Sequence, residues 1–295
     1  MNSLTDHLLT TGQAFFPPRA SSVAGRVDDV FSLIFWISAV FFVLITALSV
    51  LFVVRFRERR WTAPQPSPSH NTRLEVLWSV IPLALVMLMF GTATAAYLEI
   101  TDSRSGEKKD EIQVTAKKWL WWFDHPGGKG AGDLHVVVNR PTELTMSSID
   151  VIHSLYVPAF RLKQDVVPGR YTKLRFTAIE PGVYPIYCAE YCGTNHSMMS
   201  SFVVVHPDQA AYDAWEKQPA YDDSMPLAEI GMKVYTTKGC ATCHSTDGSA
   251  RIGPSFKGLY GRVGTLLDGS TVTVDENYIR ESIVKPKAKL VVGLA

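Results

Sequence analysis

Cys188-Ala189-Glu190-Tyr191-Cys192-Gly193-Thr194-Asn195-His196-Ser197-Met198-Met199 is the stretch on which the reading of this chain turns. Two thiols, one imidazole and a thioether follow one another in the spacing C-x3-C-x3-H-x2-M. Such soft and borderline donors suit copper rather than magnesium or calcium. A mononuclear blue-copper centre takes one Cys, two His and a weak axial Met, which would leave one thiolate here idle. Two thiolates bridging two coppers use every donor, provided that a second imidazole arrives from elsewhere. His153, in Asp150-Val151-Ile152-His153-Ser154, ends an apolar run upstream and is the natural candidate. Taken alone, C-x3-C would also suit a disulfide or half of a zinc site, and the two methionines would suit core packing. Neither alternative explains a Met at a fixed offset from the His.

The loop, with Asp150–Ser154 and Val166-Val167-Pro168-Gly169-Arg170, resembles subunit II of the haem–copper cytochrome c oxidases, over residues 17–206. The resemblance implies a dinuclear copper A centre on a cupredoxin fold. Carried over position by position, it implies that Cys188 and Cys192 bridge the coppers and that His153 and His196 cap one each. Met199 would add a weak sulfur ligand to one copper, and Glu190 its main-chain carbonyl to the other. The Glu190 carboxylate would face a magnesium ion shared with subunit I. The family spacing selects Met199 and leaves Met198 to packing. Asp150 and Asn195 are expected to orient the copper histidines from behind.

Length and composition agree with this reading. A chain of 295 residues allows two modest domains plus extras. A net charge of +1 gives no electrostatic case for nucleic acid. The four Cys form two close pairs in metal or cofactor spacings, not a scattered disulfide framework.

Residues 1–29 form an outer N-terminal segment broken by Phe15-Phe16-Pro17-Pro18-Arg19, with no evident cleavable signal. Val30 to Val54 is an almost unbroken apolar run without a polar face, long enough to cross ~30 Å of hydrocarbon. A basic, Pro/Ser-rich loop over 55–76 leads to a second span, Leu77 to Leu98. Trp78 and Tyr97 are placed like interfacial aromatics, Pro82 lies within the span, and Glu75 stands at its mouth. The Arg-rich loop belongs on the cytoplasmic side, which puts both termini and the copper loop outside.

After a connector at 99–110, the apolar period changes to two: Ile112 and Val114, then Leu134, Val136 and Val138, then Leu144 and Met146. Pro126-Gly127-Gly128 and Pro181-Gly182 punctuate the runs, as in an antiparallel sandwich or barrel over 111–206. In Trp119-Leu120-Trp121-Trp122-Phe123 the last three rings read as packing. Trp119 matches the family's surface tryptophan, through which electrons from cytochrome c reach copper. The aromatic that usually follows it is replaced by Leu120.

Residues 207–226 read as a short helix, Gln209 to Lys217, and a linker. In the last segment, 227–295, Cys240-Ala241-Thr242-Cys243-His244 is C-x-x-C-H, the attachment motif of a c-type haem. Cys240 and Cys243 would bond the haem and His244 the iron. The segment resembles a small α-helical c-type cytochrome, with Pro254 in the place of the proline that orients the haem His. No Met or His follows His244, and no closing helix precedes Ala295, so a shortened version of that domain is expected. His7, His70, His125, His135 and His206 lie outside any ligand spacing.

The resemblance as a whole implies a caa3-type oxidase subunit: a two-helix transmembrane hairpin, an all-β cupredoxin domain and a small, incomplete cytochrome domain. Its cofactors would be copper A, covalent haem c and magnesium at the subunit I interface. Its partners would be the bilayer of a bacterial inner membrane, subunit I with haem a and copper B, subunit III, and a cytochrome c-type or bc-type donor. Oxygen reduction itself would belong to subunit I. A copper A reductase of nitrogen oxides and a non-enzymatic copper-binding assembly or sensor protein are the rival readings.

Overall fold

A computed structural model of the chain describes residues 16–57, 68–101, 109–219, 221 and 224–293. Most of the outer segment, the middle of the Arg-rich loop and most of the connector, with His7 and Ala295, lie outside the described residues.

Two long helices come first, α1 (Ala24–Phe56) and α2 (Thr72–Thr101), both long and apolar enough to cross a membrane. They reach beyond the expected spans of 30–54 and 77–98. The added turns carry Arg26, Asp28, Asp29 and Glu99, polar groups that a helix can hold outside hydrocarbon without breaking its own backbone bonds. The helices pack as an antiparallel hairpin, with Arg26 of α1 and Glu99 of α2 3.8 Å apart at one end. Apolar side chains face outward along both, Phe42 and Phe90 among them.

The strands are β1 (Asp110–Lys117), β2 (Leu120–Asp124), β3 (Gly130–Ala131), β4 (Leu134–Val137), β5 (Pro141–Ser148), β6 (His153–Val157), β7 (Leu162–Val166), β8 (Thr172–Thr177), β9 (Gly182–Cys188) and β10 (Ser200–His206). They form two five-stranded sheets, in the orders β3-β2-β1-β5-β8 and β4-β10-β9-β6-β7. Two pairings are parallel, β1 with β5 and β10 with β4. Alternate residues point inward, as a period of two requires: Ile112, Val114 and Ala116 on one sheet meet Leu155, Val157 and Ile186 on the other in one apolar core.

The chain before α1 is stitched to this domain. Ala20 N–H donates to Ala159 O at 3.0 Å, and Ile179 N–H to Ala20 O at 3.0 Å. Asp28, buried in the first turns of α1, receives Arg161 Nε at 2.7 Å and Arg19 Nε at 2.7 Å. The domain therefore sits at the Arg26–Glu99 end of the hairpin.

Glu143 of β5 is buried under Lys109, Lys173 and Arg175, with Lys173 Nζ at 2.6 Å. Burial works against its charge, but the three cations prevail and hold its carboxyl at about 2. The folded value lies below the ordinary one, so Glu143 adds stability above pH 4.5 that is lost as pH falls toward 2. The shift corresponds to something on the order of 3 kcal/mol. Denaturant unfolding at pH 7 and pH 3 should show Glu143→Gln losing most of its deficit against the parent at the lower pH. A deficit that is equal at both pH values would refute this assignment.

Beyond β10 lie α3 (Gln209–Lys217), α4 (Leu227–Thr237), the single turn α5 (Cys240–Cys243), a hairpin of β11 (Val263–Thr265) and β12 (Thr271–Thr273), and α6 (Glu276–Val284). The last segment is thus not purely helical: Asp268-Gly269 supplies a turn, with Gly269 at φ +83, that folds β11 onto β12.

Candidate metal centre

Strand pairing brings the distant candidate to the local ones. β6 lies beside β9 with Leu155 opposite Cys188, which carries His153 to the start of the copper loop. Cys188 N–H donates to Met199 O at 3.1 Å and Ala189 N–H to Ser154 O at 2.8 Å, so both flanks of the loop are tied to the sheet. A 3-10 turn, His196–Met198, then folds Met199 inward.

Three donor side chains and one carbonyl converge on two sulfurs. Cys188 Sγ stands 3.8 Å from His153 Nδ1 and 3.2 Å from Glu190 O. Cys192 Sγ stands 3.4 Å from His196 Nδ1 and 3.8 Å from Met199 Sδ. The sulfurs are 3.8 Å apart, against about 2.05 Å in a disulfide, and both thiols are free. Each sulfur therefore faces the other sulfur, one imidazole nitrogen and one neutral donor. His153, Cys188, Cys192 and Met199 are buried, which keeps bulk water from competing for a bound ion.

Asp150 sets the orientation of His153. Its Oδ1 receives His153 Nε2–H at 2.8 Å, which leaves the Nδ1 lone pair for a metal. Its Oδ2 receives the main-chain N–H of Lys118 at 2.7 Å, so the same carboxylate also fixes the turn that carries Trp119. Burial opposes the charge on Asp150, but these hydrogen bonds hold its carboxyl below the usual range. Burial also opposes a positive His153, yet Cys188 and Asp150 raise its affinity for a proton. Burial alone would raise the Cys188 thiol; hydrogen bonds from His153 and the backbone bring it down to about 6. Cys192 is pushed up to about 12 by burial and by the charge on Cys188. The pair thus releases one proton readily and keeps the second until a cation offsets the charge. This donor set fits two soft cations sharing two thiolates.

Two expectations need correction. Met198 does not pack: it is 70% exposed, while Met199 is 1% exposed, because the turn at 196–198 points adjacent side chains to opposite sides. Asn195 does not orient a histidine; its Nδ2–H donates to Thr242 O at 3.0 Å. Among the aromatics, Trp121 and Phe123 are core residues, and Trp121 meets the His153 ring edge-on at 6.1 Å. Trp119 lies against the loop: Gly193, at φ +121, brings its backbone so near that a Cβ would stand 3.2 Å from Trp119 Cζ2.

In the last segment His244 Nδ1 donates to Pro254 O at 2.8 Å, leaving Nε2 for an iron, and its ring stacks on Phe256 at 4.5 Å. Gly253 allows this approach, since a Cβ there would lie 2.6 Å from His244 Cε1. Cys240 and Cys243 are free and half-buried beside it. These residues fit the demands of a covalent haem on that side. Lys289 pairs with Glu281 at 2.8 Å.

Three of the unassigned histidines, His125, His135 and His206, cluster in the β domain away from the copper loop. His135 Nδ1 and His206 Nε2 are 2.9 Å apart, and His135 N–H donates to His125 Nε2 at 3.0 Å. Trp215 of α3 stacks on His135 at 3.7 Å. Burial, with lesser contributions from His125, His206 and Lys129, brings His135 to about 3, so its ring is neutral where it seats α3. Nothing in ligand spacing could have revealed the cluster, because the pairing of β4 with β10 creates it.

Residues 9–94 match the family described as cytochrome c oxidase subunit II, transmembrane domain, and residues 131–206 that described as cytochrome c oxidase subunit II, periplasmic domain. Neither match reaches the C-x-x-C-H segment. Cytochrome c oxidase subunit 2 of Synechocystis is 31% identical over 260 residues, with 72% of this chain and 78% of the relative covered. That of Alkalihalophilus pseudofirmus is 32% identical over 248 residues, with 80% of this chain and 72% of the relative covered. The periplasmic domain of subunit II from Bradyrhizobium japonicum, a solved structure, is 26% identical, with 39% of this chain and 93% of that chain covered and a TM-score of 0.35. Two apolar helices, a cupredoxin-like β domain with a soft-donor site, and relatives matched over most of their length agree: this chain belongs to the cytochrome c oxidase subunit II family.

Proposed function

We propose that this electron-transfer subunit of a haem–copper oxidase holds dinuclear copper A with Cys188 and Cys192 as bridging ligands. His153 and His196 are the terminal imidazoles, Met199 the weak sulfur donor and the Glu190 carbonyl the weak oxygen donor. The observation that carries this is the symmetry of the site: each sulfur faces the other, one imidazole Nδ1 and one neutral donor. We further propose a haem c bound through Cys240 and Cys243 with His244 as its iron ligand. Bound there, the haem and the copper pair supply the one-electron chemistry that links a cytochrome c-type or bc-type donor to haem a of subunit I, where oxygen is reduced to water.

The residues of the chain contribute position and environment. The β6–β9 pairing and Asp150 hold His153 in one orientation, and the buried donors Cys188, Cys192 and Met199 are held on a loop whose flanks are tied to the sheet. Trp119 lies against the loop and is the expected point at which electrons reach it. The exposed Glu190 carboxylate is free to reach a magnesium ion at the boundary with subunit I. Arg55 and Arg57, at the end of α1 away from the β domain, favour the cytoplasmic side of a bacterial inner membrane, which leaves the metal centre outside. Subunit III completes the set of expected partners.

Metal and haem analysis of the purified complex tests the reading: two coppers and one covalent haem per copy of this chain are expected. Met199→Leu is the finer test. Leu fills the volume of Met at a cost of less than about 1.5 kcal/mol, so the fold holds. Loss of the sulfur should favour the reduced state and raise the copper potential by roughly 60 mV, one tenfold step for one electron. Loss of both coppers from that variant would show instead that Met199 is needed to retain the metal.

A further inference from the structure

Among the described residues, the C-terminal unit touches the copper domain at Asn195, Trp122 and Leu120, among other points. Asn195, the neighbour of His196, donates to the carbonyl of Thr242, which lies between the two thiols of C-x-x-C-H. Lys238 Nζ stands 3.5 Å from the centroid of the Trp122 ring. Gly239, at φ +75, turns the backbone onto Leu120, where a Cβ would lie 3.4 Å from Leu120 Cδ1.

The receiving side is built. Trp122 donates Nε1–H to Asp124 Oδ1 at 2.9 Å, and its ring lies against Gly130, where a Cβ would be 2.5 Å from Cζ2. One face of the indole is thereby fixed on backbone and the other is open to a cation. Leu120 offers an apolar surface to a residue without a side chain; a broad ring in its place would need the room that Gly239 takes. Trp119 stands between this contact and the copper loop, packed on Gly193 with its indole N–H buried and without an acceptor.

We propose that Leu120, Trp122 and Asn195 form a seat for the chain's own Lys238–Thr242 segment, and that this seat closes the Trp119 face to outside proteins. A stable protein partner needs roughly 800 Å² of surface on each side, and the ground around Trp119 is already taken. An external donor therefore meets the C-terminal unit, and Trp119 receives electrons from within the chain. The inference rests on the reading that the C-terminal unit delivers electrons; the seat itself is a contact between polypeptide segments and can be tested apart from that reading.

Hydrogen exchange on the full chain in its oxidase reads the seat directly. Lys238→Glu sets a negative charge against the ring face and should speed exchange at least tenfold at both 238–243 and 118–123. Leu120→Asp should do the same from the other side, and Lys238→Arg should leave exchange as in the parent. Unchanged exchange on both sides in both disruptive variants would overturn the seat. Carbodiimide cross-linking to a soluble single-haem cytochrome c reads the closure. Cross-links within 227–293 of the parent are expected, and in Lys238→Glu they should spread to Lys117 and Lys118. Cross-links to Lys117 or Lys118 in the parent would overturn it. Absence of covalent haem with exchange still responsive to Lys238→Glu would sink the haem reading and leave the seat standing.

Discussion

Replacing Cys192 with Ser should strip one or both metals from the proposed copper site while leaving the β domain folded. The Cys192 sulfur is the one atom in contact with Cys188, His196 and Met199 together, so its loss removes a shared bridge and isolates two terminal donors. A serine hydroxyl is a harder donor and does not ionise near neutral pH, so it cannot replace a thiolate toward a soft ion. Changes behind the ligands typically cost about 10–100-fold in metal affinity, and removal of a bridging ligand should exceed that range. Copper content should fall from two per chain to one or none, and oxygen consumption with a cytochrome c donor to about 1% or less of the parent. The fold should survive, because Ser is small and the loop is tied to the sheet by backbone bonds at Cys188 and Ala189. Thermal unfolding of the metal-free forms checks this: parent and variant should differ by no more than about 1–3 kcal/mol, the cost of burying one hydroxyl. Two coppers retained in Cys192→Ser would end the bridging assignment.

The second large effect is expected far from the metals. Arg161→Ala should cost about 3 kcal/mol, because buried Asp28 is left with the half-exposed Arg19 as its one remaining cation and three carbonyls lose their donor. All five N–H groups of Arg161 are used: Nε and Nη2 on Asp28, Nη1 on the carbonyls of Pro18 and Pro158, and Nη2 on that of Pro17. The Phe16 ring lies beneath the guanidinium at 5.3 Å. The side chain is therefore a pin between the base of α1 and the β domain, and its loss frees the domain to tilt on the hairpin. Arg161→Lys keeps the charge but not the planar fork, and should recover less than half of the loss. Removing both charges, Asp28→Ala with Arg161→Ala, should be milder than Arg161→Ala alone, since no buried carboxylate is left under-paired and the half-exposed Arg19 is solvated. Thermal unfolding of the detergent-solubilised complex, with copper content as a second readout, checks the series. An Arg161→Ala protein that melts with the parent would show that the pin carries no weight.

The loop from Cys188 to Met199 was legible because its donors are neighbours along the chain, and a short loop can hardly keep them apart. The family resemblance selects Met199, which is buried, but it leaves Met198 to packing, whereas Met198 is exposed. The two apolar helices were legible because hydrocarbon imposes a composition that few other environments do. The role of Asp150 could be anticipated, since it lies three residues from His153 and its carboxylate reaches back to the ring.

Other features had no local signal. Asn195 looked like a support for the copper histidines, but its partner, Thr242, is 47 residues away. Arg161 and Asp28 are 133 residues apart and appear in sequence as two ordinary charges. Trp122 reads as one more packing aromatic until Lys238 is placed over its face.

The sequence by itself determined the chemical character of this protein: soft donors at short spacing, and two apolar segments suited to a bilayer. Those properties depend on residue type and short spacing, which survive in an unfolded chain. Only the tertiary structure decided where His153 arrives, how the β domain is pinned to α1, and which surface the C-x-x-C-H segment covers. These depend on strand register and on close approach between distant residues, which exist only once the sheets have paired and the core between them has excluded water.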